Sequence, residues 1–325
     1  MLSPPPLAAS ALQAIGHTPL VALDRLTAEE GVPGRVLVKL ESDNPGGSVK
    51  DRVALAVIEA AEREGHLLPG GTVVELTSGN MGAGLAVVCA VKGYRMIAVM
   101  SAGNSVERRR QLEALGAEVA LVPLAPGSPP GQVSGSDLAL VETRAAELVR
   151  ELHAFRPDQF RNPNAVRAHE LTTGPEIWEQ TGGQVAAFVA SVGTGGTFVG
   201  VARALKGRNP AVRCYAAEPA SAPYIARGPD AVSNPSHKIQ GTGYAMVPPL
   251  WEPGLVDGYL TVTDARAVEV ARRLAAREGI FGGYSAGANV AAALDLARQM
   301  APGALVATLV CDTGLKYLST DLYPA

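Results

Sequence analysis

The chain has 325 residues, of which 47% are hydrophobic, so it is long enough for two lobes with separate cores. The net charge is −3 and lysine and arginine do not occur in blocks, which excludes a basic surface of the kind that binds nucleic acid. Apolar runs are broken by glycine or charge within about 10 residues, too short to cross a bilayer. The three cysteines lie far apart in apolar runs, which predicts free thiols in a reducing cytosol and neither a disulfide nor a metal site.

The first part of the chain is predicted to hold an arm and two extended segments. Residues 1–10 have no basic region and no long apolar core, so they are interpreted as an arm and not as a signal peptide. Residues 15–23 are typical of a turn followed by a short extended segment. Residues 35–41 alternate apolar and polar side chains, which predicts a strand.

The stretch 41–65 is predicted to be a loop that leads into a helix. Residues 44–47, NPGG, favour turns, and an apolar period of three to four residues then continues to Gly65. Ser48 is the expected N-cap and Gly65 the expected C-terminal stop, so Lys50 falls in the first helical turn. A cation there faces the positive end of the helix dipole, which lowers the pKa of its ammonium group. By itself Lys50 is equally consistent with a solvated lysine that pairs with a nearby carboxylate.

Residues 66–152 alternate between strand and helix patterns. A buried strand ends in TSGN at 77–80, an apolar helix follows, and two further strands flank a helix that Ser105 caps. The run at 123–137 is rich in proline, glycine and serine and predicts a surface loop. Repeated βα units of this kind predict a mostly parallel sheet with helices on its faces.

A second block of alternating strands and helices runs from about residue 155 to the end of the chain. It contains a strand with a glycine-rich turn, GTGGT at 193–197, and a polar turn, YSAGAN at 284–289, that opens a long apolar helix. Because the two blocks divide near residue 150, the sequence predicts two lobes with a cleft between them.

The glycine-rich turn at 193–197 is predicted to bind a phosphate. It lies between a strand and a helix, so backbone N–H groups at the helix start would surround the anion. Together with Glu218, about 20 residues further on, this turn resembles a dinucleotide-binding fingerprint. The match fails at position 198, where Phe198 replaces the third glycine of G-x-G-x-x-G. From the sequence of this loop alone, the alternative is a plain strand-to-helix turn that binds no ligand.

Three motifs together resemble one enzyme family. NPGGSVKDR around Lys50, ELTSGN at 75–80 and GTGGT at 193–197 are similar to sequences of the pyridoxal-phosphate (PLP) dependent β-replacement enzymes. These include the cysteine synthases (O-acetylserine sulfhydrylases) and cystathionine β-synthase. The resemblance covers nearly the whole chain, as far as DTGLKYLST at 312–320. It implies PLP fold type II, as in tryptophan synthase β: two lobes, each a mostly parallel twisted sheet flanked by helices, with the cofactor in the cleft between them.

The resemblance also implies roles for individual residues. Lys50 is expected to carry PLP as a Schiff base and to act as the catalytic base, with Asn80 bonded to the phenolic oxygen and Ser285 to the pyridine nitrogen. The phosphate of PLP is expected to bind a loop made of Gly193, Thr194, Gly195, Gly196 and Thr197. Substrate-binding residues are expected to be Thr77, Ser78, Gly79, Met81, Gln159 and Gly241. As alternatives, Ser285 is a plausible N-cap, and Gln159 fits a solvated loop glutamine.

The activity that the resemblance implies is β-replacement on an activated L-serine, such as O-acetylserine, through an aminoacrylate intermediate. A sulfur nucleophile would then give cysteine. The chain departs from the family pattern at two places: Met81 replaces the usual threonine, and GTGYAM at 241–246 replaces GIGAGF. The sequence therefore does not determine the identity of the leaving group or of the nucleophile. Alternatives are β-elimination of cysteine, or addition of a nitrogen, carbon or homocysteine nucleophile. A serine or threonine dehydratase is more distant, and a catalytically silent binding protein with the same fold is the alternative from another class.

The same resemblance implies which residues form each lobe and what each lobe binds. Residues 46–150 are expected to form the smaller lobe, which binds the substrate carboxylate, and residues 10–45 with 151–325 the larger lobe, which binds the PLP phosphate. A cytoplasmic homodimer is expected. Its partners would be an amino-acid substrate and a small nucleophile, with no nucleic acid, membrane or metal.

Overall fold

The fold is that of a computed structural model, which describes residues 7–128 and 133–323. Parts of the predicted N-terminal arm (1–6) and of the predicted surface loop (129–132) lie outside the described residues. The chain divides into two compact units. The first comprises the N-terminal residues up to Gly16, Asn44–Gly46 and Lys50–Asp158, and the second His17–Asp43, Gly47–Val49 and the chain from Gln159 onward.

The described residues form strands and helices in close alternation. The strands are Leu20–Ala22 (β1), Arg35–Leu40 (β2), Thr72–Leu76 (β3), Arg95–Ser101 (β4), Glu118–Val122 (β5), Val185–Ser191 (β6), Arg213–Pro219 (β7), Gly258–Val262 (β8) and Leu305–Val310 (β9). The α-helices are Asp24–Glu29 (α1), Lys50–Arg63 (α2), Asn80–Lys92 (α3), Val106–Ala114 (α4), Gly135–Leu152 (α5), Asn164–Ala168 (α6), Gly174–Gln180 (α7), Gly196–Arg208 (α8), Tyr224–Arg227 (α9), Asp264–Glu278 (α10) and Tyr284–Ala297 (α11). Among these residues, none of the helices combines the length and the apolar character that crossing a bilayer requires.

The first unit is built on a parallel three-stranded sheet in the order β3-β4-β5. Six of the seven residues of β4 are buried, which explains why its sequence is nearly continuously apolar. Val74, Ile97 and Val99 of the sheet pack against Val141 and Ala145 of α5. The predicted alternation of strands and helices in this part of the chain is confirmed.

The second unit is built on a six-stranded sheet in the order β1-β2-β9-β6-β7-β8. All neighbours are parallel except β1, which runs antiparallel to β2 at the edge. Because side chains alternate along a strand, β6 contributes to two cores. Ala187 and Val189 belong to the core that includes α10 and α11, whereas Phe188 and Ala190 belong to the core that includes α8. The predicted mixed α/β class with a mostly parallel sheet is confirmed.

The side chain of Asn289 joins α11 to two strands of the second unit. It is fully buried. Its carboxamide oxygen accepts a hydrogen bond from the Ser191 N–H (2.7 Å), and its nitrogen donates to the Leu309 carbonyl (3.1 Å). The amide therefore ties α11 to the carboxyl ends of β6 and β9.

We expect Asn289→Leu to lower the free energy of unfolding by about 2 to 4 kcal/mol, because it leaves one backbone donor and one acceptor unpaired in the core. Urea denaturation of the cofactor-free protein measures the change. Asn234→Leu is the matched control, since Asn234 is an exposed loop residue, and it should change stability by no more than about 0.5 kcal/mol. A loss below about 1 kcal/mol for Asn289→Leu would contradict this account of the amide.

Candidate active site

Lys50 is the first residue of α2, in the first helical turn as predicted. The helix ends as predicted at Gly65, which has φ of +75°. Hydrogen bonds from the Gly65 N–H to the Glu62 carbonyl (3.2 Å) and from the His66 N–H to the Ala61 carbonyl (2.8 Å) close it in a Schellman motif. Ser48, the predicted N-cap, lies two residues before the helix, in an isolated bridge of the second unit.

The start of α3 packs closely against Lys50 within the first unit. A Cβ atom on Gly84 would lie 3.1 Å from the Lys50 carbonyl carbon and oxygen and 3.1 Å from the Asp51 Cα. Only glycine allows this approach of the two helices without displacement. Asn80 lies one turn before Gly84 on the same face of α3, which is the face that packs against the start of α2.

The loop after β3 carries the predicted carboxylate-binding residues. The Thr77 hydroxyl oxygen accepts a hydrogen bond from the Gly82 N–H (3.0 Å), so this side chain holds the first turn of α3. Ser78 is half-buried, Gly79 is exposed, and the Arg108 guanidinium lies 3.5 Å from the Ser78 hydroxyl. Met81 is only 2% exposed, so its side chain is part of the core of this unit.

Glu75 is a buried carboxyl group on β3, two residues before Thr77. Burial raises its pKa to about 7, although the positive charge of Arg156 acts in the opposite direction and the negative charge of Asp158 adds to the rise. The unfolded chain releases this proton near the ordinary value of 4.5. The folded state therefore binds more protons than the unfolded state between pH 4.5 and pH 7, and its stability falls as the pH rises through this range.

We expect Glu75→Gln to gain about 2 kcal/mol of stability relative to the original protein when the pH is raised from 5 to 8, because the amide cannot ionise. Thermal unfolding of both proteins at the two pH values measures the difference. Glu118→Gln serves as control, since the Arg95 guanidinium holds the pKa of Glu118 below its usual range and the carboxylate is ionised at both pH values. An equal effect of Glu75→Gln at pH 5 and pH 8 would contradict a raised pKa.

The glycine-rich loop of the second unit follows β6 and starts α8. Gly195 has φ of +87° and is the N-cap of α8. A Cβ atom on Gly193 would lie 2.2 Å from the carbonyl oxygen of Gly241. The Val192 carbonyl accepts hydrogen bonds from the Thr242 hydroxyl (2.8 Å) and the Gly243 N–H (3.1 Å). The predicted phosphate loop and Gly241 are thus held together by close backbone packing.

Two threonines of this loop, Thr194 and Thr197, lie beside the N-terminus of α8. Thr194 is 7% exposed, and its hydroxyl makes no hydrogen bond to any other residue that the structure describes. The Thr197 hydroxyl lies 3.1 Å from the His169 Nε2. Together with the backbone N–H groups at the start of α8 they fit a phosphate group. The Glu218 carboxylate, in contrast, accepts hydrogen bonds from the N–H groups of Ile225 and Ala226, so it is engaged within the fold.

Ser285 is the second residue of α11, and Gly283 is the N-cap. The alternative prediction that Ser285 caps this helix is therefore wrong. Its side chain is 8% exposed, and within residues 7–128 and 133–323 its hydroxyl forms no hydrogen bond. The neighbouring Tyr284 hydroxyl donates to the Asp321 carboxylate (2.6 Å). Ser285 thus offers a hydroxyl group to a ligand, whereas the hydroxyl of Tyr284 is engaged by the C-terminal segment.

Gln159 is the residue at which the chain enters the second unit for the last time. It lies in a turn, is half-buried, and follows Asp158, whose φ of +45° is unusual for a residue with a side chain. Gln159, Gly241, Ser285 and the loop 193–197 belong to the second unit, whereas Lys50 and residues 77–81 belong to the first. The described residues hold no cluster of three or more histidine, cysteine, aspartate or glutamate side chains that could bind a metal ion.

Comparison with known proteins decides the family. Residues 11–312 match the family model described as pyridoxal-phosphate dependent enzyme. The chain belongs to this family. A cysteine synthase from Staphylococcus aureus is 43% identical over 313 residues, which are 96% of each chain.

Two solved structures of PLP-family relatives are also similar. An O-ureido-L-serine synthase is 43% identical with a TM-score of 0.87, over 98% of this chain and 95% of that one. An O-acetylserine sulfhydrylase isoform from Entamoeba histolytica is 35% identical with a TM-score of 0.90, over 99% and 94% of the two chains. The predicted family, PLP fold type II and the cofactor PLP are confirmed: the chain is a PLP-dependent enzyme of the cysteine synthase type, and its reaction class is β-replacement.

Two residues that support the site were not predicted from the sequence. His169 contacts Thr197 from 28 positions away in the chain, and Asn289 pairs with Ser191, just before the glycine-rich loop. His169 belongs to no motif that indicates a function, and Asn289, although it is the last residue of the YSAGAN turn at 284–289, had no role assigned to it. The signal that was available is an isolated histidine in an otherwise helical stretch, which is more often a satisfied core residue than a functional one.

Proposed function

We propose that this PLP enzyme replaces the β-substituent of an activated L-serine, such as O-acetyl-L-serine, by a sulfur nucleophile to give L-cysteine. The observation that carries the proposal is that a chain 43% identical to a cysteine synthase has both a lysine at the first position of α2 and a closely packed glycine-rich loop before α8. The cradle that this loop forms fits PLP because Gly193 and Gly196 have no free space for a Cβ atom, Gly195 has a positive φ, and two threonine hydroxyl groups lie in the same loop.

Each residue group has a distinct task in this proposal. PLP, when bound, withdraws electrons from the substrate α-carbon. Lys50 holds the cofactor covalently, then removes the α-proton and later returns it. The loop 193–197 binds the phosphate, and Asn80 bonds the phenolic oxygen. The substrate is oriented by Thr77, Ser78, Gly79, Gln159 and Gly241. The buried side chain of Met81 packs in the core next to the loop 77–80.

The Ser285 hydroxyl is assigned to the pyridine nitrogen of the cofactor. Its pKa lies far above that of the ring, so it accepts or donates a hydrogen bond without keeping a proton on the nitrogen. By leaving the ring nitrogen unprotonated, Ser285 would favour loss of a β-substituent over transamination once PLP is bound. The partly buried hydroxyl of Ser285 supports this role.

A second candidate is addition of a non-sulfur nucleophile, as the name of the similar O-ureido-L-serine synthase suggests. The observation that favours it is the loop 241–246, which departs from the family pattern. Tyr244 is 50% exposed, and its ring packs edge-on against Phe160, the neighbour of Gln159, with centroids 5.5 Å apart. Large side chains here narrow the choice of nucleophile by shape.

The experiment that separates these candidates supplies O-acetyl-L-serine with sulfide, homocysteine or hydroxyurea, and identifies the amino-acid product by mass spectrometry. We expect cysteine formation from sulfide with the highest kcat/KM. Formation of O-ureido-L-serine as the fastest reaction would replace the proposal with the second candidate. Release of sulfide from cysteine alone at a higher rate would assign β-elimination, and O-phospho-L-serine in place of O-acetyl-L-serine tests the leaving group.

We also propose that residues 46–150 form the carboxylate-binding lobe and residues 10–45 with 151–325 the phosphate-binding lobe of a cytoplasmic homodimer. Three free cysteines support a reducing compartment, and burial raises the pKa of Cys89 and Cys214 to about 12. Light scattering of the purified enzyme tests the dimer. A monomer mass at micromolar concentration would contradict it.

A further inference from the structure

His169 lies at the start of a π-helical turn, His169–Thr173, between α6 and α7. Its side chain is fully buried. Its Nδ1 is 2.9 Å from the Thr173 hydroxyl oxygen, and its Nε2 is 3.1 Å from the Thr197 hydroxyl oxygen. Single π-helical turns within helices occur frequently at functional sites. The imidazole thus connects this turn to the last residue of the phosphate loop.

Glycine residues on α8 bring the two segments close enough for this contact. A Cβ atom on Gly200 would lie 2.3 Å from the Val166 carbonyl oxygen and 2.8 Å from the His169 Cβ. A Cβ atom on Gly196 would lie 3.0 Å from the Ala165 carbonyl oxygen. Backbone packs directly on backbone along this face of α8, so the distance between the imidazole and Thr197 is fixed by contacts that cannot relax easily.

The protons of these three side chains can be assigned if Thr197 donates to a phosphate. A threonine hydroxyl has a single hydrogen, so Thr197 can donate it to the anion only if its oxygen accepts a hydrogen bond from His169. The proton of the imidazole must then be on Nε2, and Nδ1 accepts the hydrogen of the Thr173 hydroxyl. All three donors point along one chain that ends at the phosphate loop.

We propose that His169, as its Nε2–H tautomer, is a positioning residue that orients the Thr197 hydroxyl as a donor to the phosphate of PLP. The inference rests on the proposed role of the loop 193–197. His169 itself does not contact the cofactor in this proposal. It acts through Thr197, and the Thr173 hydroxyl donates to the Nδ1 that this tautomer leaves unprotonated.

The test compares the PLP dissociation constant of the original protein with those of His169→Leu, His169→Gln and Thr197→Val, measured by titrating the cofactor-free proteins. We expect His169→Leu and Thr197→Val each to weaken PLP binding about tenfold, since Thr197→Val removes the hydroxyl that donates to the phosphate and His169→Leu removes the group that orients it. His169→Gln keeps an amide donor near the position of Nε2 and should recover most of the affinity. The ³¹P chemical shift of bound PLP should change in His169→Leu and return toward its original value in His169→Gln.

The double variant separates positioning from simple packing. In the Thr197→Val background, His169→Leu should cause no further loss of PLP affinity, because the hydroxyl that it orients is gone. An equal further loss would overturn the proposal and leave His169 as a packing residue. An unchanged affinity in Thr197→Val alone would instead reject the role of the phosphate loop, so the two failures are distinguishable.

Nitrogen NMR of the labelled original protein gives an answer that does not depend on how the variants fold. With PLP bound, the histidine ring signals are expected to include one neutral imidazole that carries its proton on Nε2 and disappears in His169→Gln. A proton on Nδ1 of His169 would overturn the proposal.

Discussion

Lys50→Ala is expected to abolish the covalent attachment of PLP and to reduce the rate of β-replacement by at least about 10³-fold, because in the proposed function this one side chain holds the cofactor and moves the α-proton. Reduction with borohydride followed by mass spectrometry measures the attachment. In the original protein the PLP mass should be found on the peptide that contains Lys50. The visible absorption band of lysine-bound PLP should be lost in the variant.

Lys50→Arg is the matched control for the charge at the first turn of α2. Arginine keeps the positive charge but cannot lose its proton, so it should be as inactive as alanine. A small amine such as methylamine should restore part of the activity of Lys50→Ala, since it replaces the missing nitrogen. If borohydride fixes PLP to a different lysine, or if the alanine variant keeps more than about a tenth of the rate, the assignment of Lys50 is wrong.

Gly193→Ala is expected to weaken PLP binding by about 10- to 100-fold. The new Cβ would lie 2.2 Å from the Gly241 carbonyl oxygen, so one of the two backbone segments must move. That segment is fixed by the hydrogen bonds that Thr242 and Gly243 donate to Val192. Their loss shifts the amides that surround the phosphate. Titration of the cofactor-free protein with PLP measures the effect.

Gly207→Ala provides the comparison, at the far end of the helix that follows the glycine-rich loop. Gly207 lies in the last turn of α8, where a Cβ would meet nothing within 4 Å, so alanine should leave PLP affinity unchanged and add up to about 1 kcal/mol of stability. If both alanine variants bind PLP like the original protein, the packing of Gly193 on Gly241 has no role in the cradle. If both lose affinity equally, the effect is not specific to the contact between Gly193 and Gly241.

Much of the fold follows from local patterns in the sequence. The strands β3, β4 and β6 are short apolar runs that end in polar loops, and the end of α2 at Gly65 depends on a residue that readily adopts positive φ. The order of the strands does not follow from such patterns, because it depends on contacts between distant residues. The helical segment Asn164–Gln180 was also not predicted, since Gly174 and Pro175 within it normally indicate a break.

In the candidate site too, contiguous motifs could be predicted from the sequence, whereas contacts between residues far apart in the chain could not. The motifs around Lys50, Asn80 and the loop 193–197 are contiguous, so they were recognised by resemblance. The alternative interpretation of Ser285 as an N-cap starts α11 two residues too late, because the N-cap is Gly283, a residue type that can also occupy this position. His169 acts through one contact with Thr197 that only the folded chain reveals.

The position of β9 in the second unit has a consequence for how the chain folds during synthesis. β9 lies between β2 and β6, and its residues 305–310 pair in parallel register with 35–40 near the other end of the chain. The first unit draws its whole sheet from residues 72–122, so that sheet can form early on the ribosome. In the second unit, β2 can pair with β1 early, but nearly the entire chain must emerge before its parallel partner β9 exists. Such a non-local pairing closes slowly and leaves apolar strand edges exposed in the meantime, which makes the nascent second unit the part of the enzyme most dependent on chaperones.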